Sequence, residues 1–176
     1  DTYIFSDGWG VNDVVVENAS EGHDILDLSA TTGALTVGFG VGITVTDGIN
    51  TVTAAGSNIE KFIGGIGVVV FNFTDATTKT VVLTDLGSSV GFKGTVNGLE
   101  FDNVDNLIVG AATNDSLTGA NLINTWTFDV GNSKLESGAR ALTFDGFETL
   151  IGGSDADTFT FGDGVTFNGA INGGAG

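Results

Sequence analysis

Three stretches of this chain repeat one phrase: Ile59-Glu60-Lys61-Phe62-Ile63-Gly64-Gly65, Val104-Asp105-Asn106-Leu107-Ile108-Val109-Gly110 and Phe147-Glu148-Thr149-Leu150-Ile151-Gly152-Gly153. They start 45 and 43 residues apart. Each runs apolar, acid, polar, apolar pair and glycine, with one extra apolar residue in the middle copy. Self-similarity at a period of roughly 20–50 residues is the mark of a supersecondary unit stacked on copies of itself. Such a chain is expected to be one elongated domain over residues 1–176.

The backbone chemistry fits stacking. The chain has 29 glycines and no proline. Proline cannot donate to a hydrogen-bond ladder, so a chain that pairs its backbone repeatedly avoids it, and glycine supplies corners with positive φ. Helical periodicity is nearly absent. Short runs rich in Val, Ile, Thr and Phe alternate with polar residues, as in Val68–Phe73, Phe92–Phe101 and Trp126–Val130, and read as strands. Only Lys134–Leu142 reads as a short helix.

Asp-Gly at 7–8, 47–48, 145–146 and 163–164 and Asn-Gly at 97–98 and 168–169 mark tight turns. The chain is therefore all-β, and two architectures fit. One is a β-solenoid of about three 43–45-residue repeats, like a parallel β-helix or β-roll; the other is a β-sandwich with hairpins, for which Lys93–Val96 and Leu99–Phe101 around Asn97-Gly98 are the best case. In the solenoid each repeat makes two coils of roughly 22 residues, and Phe62, Leu107 and Leu150 share one interior ladder.

The segment Gly152-Gly153-Ser154-Asp155-Ala156-Asp157-Thr158-Phe159-Thr160 resembles the G-G-x-G-x-D-x-U-x nonapeptide of RTX-like (hemolysin-type calcium-binding) repeats in very long bacterial surface proteins and adhesins. Asp155 stands where the family has its third glycine. The resemblance implies an extracellular or cell-surface bacterial protein that binds calcium, with Asp157 as a ligand and Phe159 in the core. Asp155, Asp157 and Asp163 are the expected calcium ligands. Gly64, Gly65, Gly152, Gly153, Gly173 and Gly174 are the expected turn formers. The other copies depart from the motif: Gly64-Gly65-Ile66-Gly67 leads to Val69 where the aspartate belongs, and Gly110–Thr118 keeps Asp115 but only the first glycine.

Half-motifs stand at both ends of the sequence. Asp1-Thr2-Tyr3-Ile4-Phe5 matches Asp157-Thr158-Phe159-Thr160-Phe161, and Gly173-Gly174-Ala175-Gly176 matches the front of the motif. Asp1, Thr2, Tyr3, Gly174 and Gly176 are therefore expected at contacts between units, with copies of the chain as head-to-tail partners in a longer tandem or polymeric array.

Net charge and residue types narrow the chemistry. The net charge is −17, with five cations at Lys61, Lys79, Lys93, Lys134 and Arg140; nucleic acid and anionic membranes are poor partners for such a surface. There is no run of about 18 apolar residues that would make a spanning helix. With no cysteine and one histidine, His23 in the Glu21–Asp24 loop, thiolate and zinc chemistry are not expected. Gly87-Ser88-Ser89-Val90-Gly91 matches a hydrolase elbow, but the histidine precedes the serine and no helix follows, so it reads as a turn.

No enzymatic activity is expected. The leading expectation is an extracellular structural module that builds a filament, stalk or surface layer by end-to-end stacking. The alternative is a calcium-binding RTX-like module that stiffens a secreted adhesin or enzyme. Surface glycans are a further expected partner.

Overall fold

With no proline to interrupt a ladder, nearly every apolar run extends into a strand. The computed structural model describes residues 1–18, 22–54 and 58–176 and places nineteen strands there. They form two mixed sheets, neither closed into a barrel. Across the first sheet the order is β1 (Thr2–Ser6), β3 (Ile25–Ala30), β7 (Lys61–Ile63), β11 (Leu99–Val104), β10 (Phe92–Val96), β9 (Thr80–Leu86), β13 (Ser116–Thr118), β17 (Thr149–Ile151) and β19 (Ala170–Asn172). Across the second it is β2 (Asp13–Val15), β6 (Thr51–Ala54), β5 (Ile43–Thr46), β4 (Leu35–Phe39), β8 (Val69–Phe73), β12 (Asn106–Ile108), β16 (Arg140–Asp145), β15 (Asn132–Ser137), β14 (Asn124–Asp129) and β18 (Asp157–Phe161).

A five-strand unit explains this order. One strand lies in one sheet, a three-stranded antiparallel meander follows in the other, and a closing strand returns to the first sheet. The units are β3–β7, β8–β12 and β13–β17, with meanders β4–β5–β6, β9–β10–β11 and β14–β15–β16. All pairs outside the meanders are parallel. The three repeated phrases fall on the closing strands β7, β12 and β17.

Successive closing strands lie in opposite sheets, so each unit exchanges the two faces of the one before. Phe62 therefore sits between Leu26 and Phe101, and Leu150 between Leu117 and Ile171, in the first sheet. Leu107 sits between Phe71 and Phe144 in the second. All three are interior, but they do not form one ladder as expected, because the period counts residues and not half-turns.

Spacing between parallel neighbours corrects a second expectation. Thr2 pairs with Ile25 and Thr149 with Ala170, close to the expected 22 residues. In the middle of the molecule the meanders lengthen the interval: Thr80 pairs with Ser116 and Val70 with Asn106.

Turn chemistry sets the meanders. Asn97 and Gly98 both take positive φ, 48° and 95°, and join β10 to β11 as a two-residue hairpin with Val96 opposite Leu99. Gly48, at φ 94°, turns β5 into β6 while the Asp47 carboxylate accepts the backbone N–H of Ile49 and Asn50. The expected helix at Lys134–Leu142 is instead the β15–β16 hairpin. Leu135 and Leu142 face each other across it, and Gly138 turns it at φ 58°.

Both sheets turn their apolar positions onto one shared core. Phe71 is at its centre, with Phe39, Phe62, Phe73 and Phe101 around it at centroid distances of 5.0–6.0 Å, all edge-on. Each fully buried phenylalanine contributes about 1.5–3 kcal/mol from burial.

Candidate functional site: corner acids and free sheet edges

The acid in each repeated phrase has a backbone partner. Glu60 accepts the backbone N–H of Asp24 at 2.7 Å, Asp105 that of Val69 at 2.9 Å, and Glu148 that of Asp115 at 2.8 Å. In every case the donor stands at the start of the neighbouring parallel strand, just where the ladder begins. The phrase is thus conserved in form along the chain because each unit needs an acceptor at its corner. Asp115 extends the pattern: fully buried, it accepts the backbone N–H of Lys79 at 2.6 Å. Burial raises the Asp105 carboxyl above the usual carboxylate range, with the Val69 bond pulling the other way.

Asp157 does similar work. One carboxylate oxygen accepts from Asn124 Nδ2 at 2.8 Å and Trp126 Nε1 at 3.1 Å, and the other from the Gly153 backbone N–H at 2.8 Å. It pins its own corner and ties β18 to β14. Asp155 and Asp163 are exposed on separate turns. The structure does not gather Asp155, Asp157 and Asp163 into a ligand set. Among the described residues the one group of three acids whose oxygens lie within 4.8 Å of each other is Asp1, Glu17 and Asp24.

That group is brought together by the parallel pairing of β1 with β3. Asp24 accepts from the Asp1 α-ammonium, which raises the ammonium pKa, and Glu17 accepts from the Tyr3 hydroxyl, which is pushed up to about 12. Asp24 and Glu17 thus already serve the Asp1 ammonium and the Tyr3 hydroxyl, so a cation would have to compete with those donors for their oxygens. Nothing in the spacing of residues 1, 17 and 24 signals the meeting in advance.

The expected turn glycines work mainly by permitting close approach. A Cβ on Gly65 would meet Thr31 Oγ1 at 2.3 Å, on Gly153 the Ala120 carbonyl at 2.2 Å, and on Gly64 the Asn103 carbonyl at 2.7 Å. One on Gly152 would meet the Gly173 carbonyl at 2.4 Å. Of the six, only Gly174 has positive φ, 83°, and it too lies against the Gly153 carbonyl. Gly173 has open space where its Cβ would be. Successive corners therefore stack backbone on backbone.

The Gly87–Gly91 segment is the turn between β9 and β10. Ser88 donates its backbone N–H and its hydroxyl to Asp102, at 2.8 and 2.5 Å, and Asn103 Oδ1 accepts from Ser89 N–H at 2.8 Å. Of the Glu21–Asp24 loop that carries His23, Glu21 lies outside the described residues. A cleft of about 510 Å³ opens between the β14–β15 turn and residues 164–167. Asp129 and Asp145 line it and no cationic side chain does, so an anionic sugar would be repelled there.

The outer strands form the other candidate surface. Among the described residues β1 and β2 end the two sheets on one side, β19 and β18 on the other, and each pairs along one edge only. Because a meander reverses the chain twice, the outermost strands of each sheet run in the same direction. Some exposed apolar side chains lie there, Ile4, Val14 and Val16 near one end and Phe161 and Ile171 near the other, while Val41, Ile49, Ile123 and Val130 are exposed elsewhere. No protein-family model, curated protein or solved structure matches the chain.

Proposed function

We propose that this chain is a structural repeat module of the bacterial cell exterior, whose units stack end to end into a filament, stalk or surface layer. Its two sheets are read as a β-solenoid in which three meanders are inserted, so that parallel ladders join the units and hairpins fill them. The single observation that carries the reading is the pair of free edges. They run in the same direction, expose backbone donors and acceptors, and carry apolar side chains. An unpaired edge is a template for another strand, and a head-to-tail contact that does not close produces a fibre.

Magnitudes say what the contact needs. Backbone hydrogen bonds contribute about 0.5–1.5 kcal/mol each net, while association costs at least about 4 kcal/mol in lost freedom. The three-residue β2 and β19 edges cannot hold two copies alone; both sheets and their apolar cover must join. The charge of −17 per copy opposes stacking, so assembly strengthens as salt screens it. The test is sedimentation of the purified full chain over a concentration series at low and moderate salt. Growing oligomers favoured by salt support the reading. Monomers at every concentration and salt reject it.

A further inference from the structure

The aromatic ladder at the free edge of β18 carries the strongest clue to how two copies meet. In β14 and β18 the segments Asn124-Thr125-Trp126-Thr127-Phe128 and Asp157-Thr158-Phe159-Thr160-Phe161 pair residue for residue in parallel. Phe159 stacks on Trp126 at 5.4 Å and 13°, and Phe161 on Phe128 at 4.5 Å and 6°. Trp126 and Phe128 are buried, whereas Phe161 is 45 % exposed and Phe159 half-buried. The ladder thus stops with two aromatic faces uncovered.

The other end of the molecule holds a strand of the same pattern. β1 and the residue before it read Asp1-Thr2-Tyr3-Ile4-Phe5, with Tyr3 and Phe5 half-buried on the core side and Thr2 and Ile4 facing out. Its second edge is unpaired among the described residues.

Resting on the end-to-end reading above, we infer that β1 of a second copy adds in parallel to the free edge of β18, with Asp1 opposite Asp157, Tyr3 on Phe159 and Phe5 on Phe161. The three segments then form one continuous ladder: Trp126, Phe159, Tyr3 along one row and Phe128, Phe161, Phe5 along the next. Stacked aromatic pairs at such spacing add stabilisation beyond their buried area. The outer face continues as Thr125, Thr158, Thr2 and Thr127, Thr160, Ile4.

Two further features agree. The contact joins the first sheet of one copy to the second sheet of the other, the same exchange of faces that relates successive units within the chain. It also sets β2 of the second copy beside β19, where Ile171 lacks a cover. By contrast β2, Asp13-Val14-Val15, offers β18 no aromatic side chain.

One position fits less well. Asp157 faces the neutral Asn124 on its own side and Asp1 on the other, and like charges opposite each other are unfavourable. The register is therefore salt-dependent.

Because the chain has no cysteine, introduced thiols report only on the contact. Full-length Ile4→Cys and Thr160→Cys variants are mixed under mild oxidation in moderate salt; both positions face out, so the core is untouched. Directly opposite strand residues lie about 5 Å apart, within disulfide reach. A reference mixture pairs Ile4→Cys with Asn172→Cys, which stands beside Ile171 on the outward row of β19 and reports β1 meeting β19 without the exchange of faces. The inference predicts about tenfold more cross-linked dimer in the first mixture than in the second.

Electron microscopy of the unmodified chain is read alongside. Filaments with the 4–172 link dominant, with an Ile4→Cys self-link dominant, or with no link, overturn the register and leave stacking standing. No filaments and no link overturn both.

Discussion

Replacing Asp157 with alanine separates a structural corner from an ion site. The carboxylate is the partner of three donors: Asn124 Nδ2, Trp126 Nε1 and the Gly153 N–H. Asn124 keeps two backbone acceptors, the carbonyls of Ala120 and Leu122. The Trp126 indole, fully buried, and the Gly153 N–H lose the acceptor that Asp157 supplies. Each buried donor left unpaired costs about 1–3 kcal/mol. Water can reach the half-buried side of Asp157, so the expected total is about 3 kcal/mol. For a chain of this size that lowers Tm by about 6–12 °C. The assay is urea and thermal unfolding of Asp157→Ala beside the parent, in chelator and then in calcium. The loss is expected in full with chelator present. Unfolding identical to the parent in chelator, with a difference appearing only in calcium, would refute the structural assignment and restore Asp157 as a calcium ligand.

Other substitutions test the remaining corners. Gly153→Ala pushes a Cβ to 2.2 Å from the Ala120 carbonyl and is expected to cost about 1–3 kcal/mol, while Gly173→Ala meets nothing within 4 Å and changes urea midpoints little. Asp105→Asn can keep the acceptor for Val69 N–H and removes a charge that burial disfavours. Because the folded pKa of Asp105 is raised, its favourable contribution is complete below the unfolded value of about 4 and is lost as pH rises through the folded one. The asparagine variant should therefore gain on the parent as pH rises through that window, whereas Asp105→Ala destabilises by about 1 kcal/mol or more at every pH; an asparagine variant that loses ground with rising pH contradicts this. Asp75 is held down to about 2 by the Lys79 ammonium and the Thr77 hydroxyl. Its stabilisation is present above about pH 4 and lost as pH falls toward 2, so Asp75→Asn should flatten acid unfolding in that interval, as followed by circular dichroism.

Much of this architecture is written locally. The alternation in Val69–Phe73 and Trp126–Phe128 points inward as read, and Asn97-Gly98 makes its hairpin because two positive-φ residues suit only that turn. The missed hairpin at Lys134–Leu142 has helix-favouring residues, but Leu135 and Leu142 bury themselves across a turn at Gly138, and tertiary pairing overrides propensity. The repeated phrase identifies its strand but not its sheet, since a period of residues is blind to the half-turn between units. The corner acids Glu60, Asp105 and Glu148 are visible in that phrase, yet their partners lie 33–36 residues away and emerge only from the parallel register. Asp1, Glu17 and Asp24 are illegible for the same reason.

The central claim is that the free edges join copies into a fibre, and electron cryo-microscopy of the concentrated full chain in moderate salt measures it most directly. Nine and ten strands per sheet, at about 4.8 Å each, set a rise of about 45 Å per copy. The account predicts unbranched filaments with that rise, about half a turn between copies, and strands perpendicular to the axis. Uniform monomers, or fibres whose copies join side by side with their β1 and β18 edges still open, would contradict it.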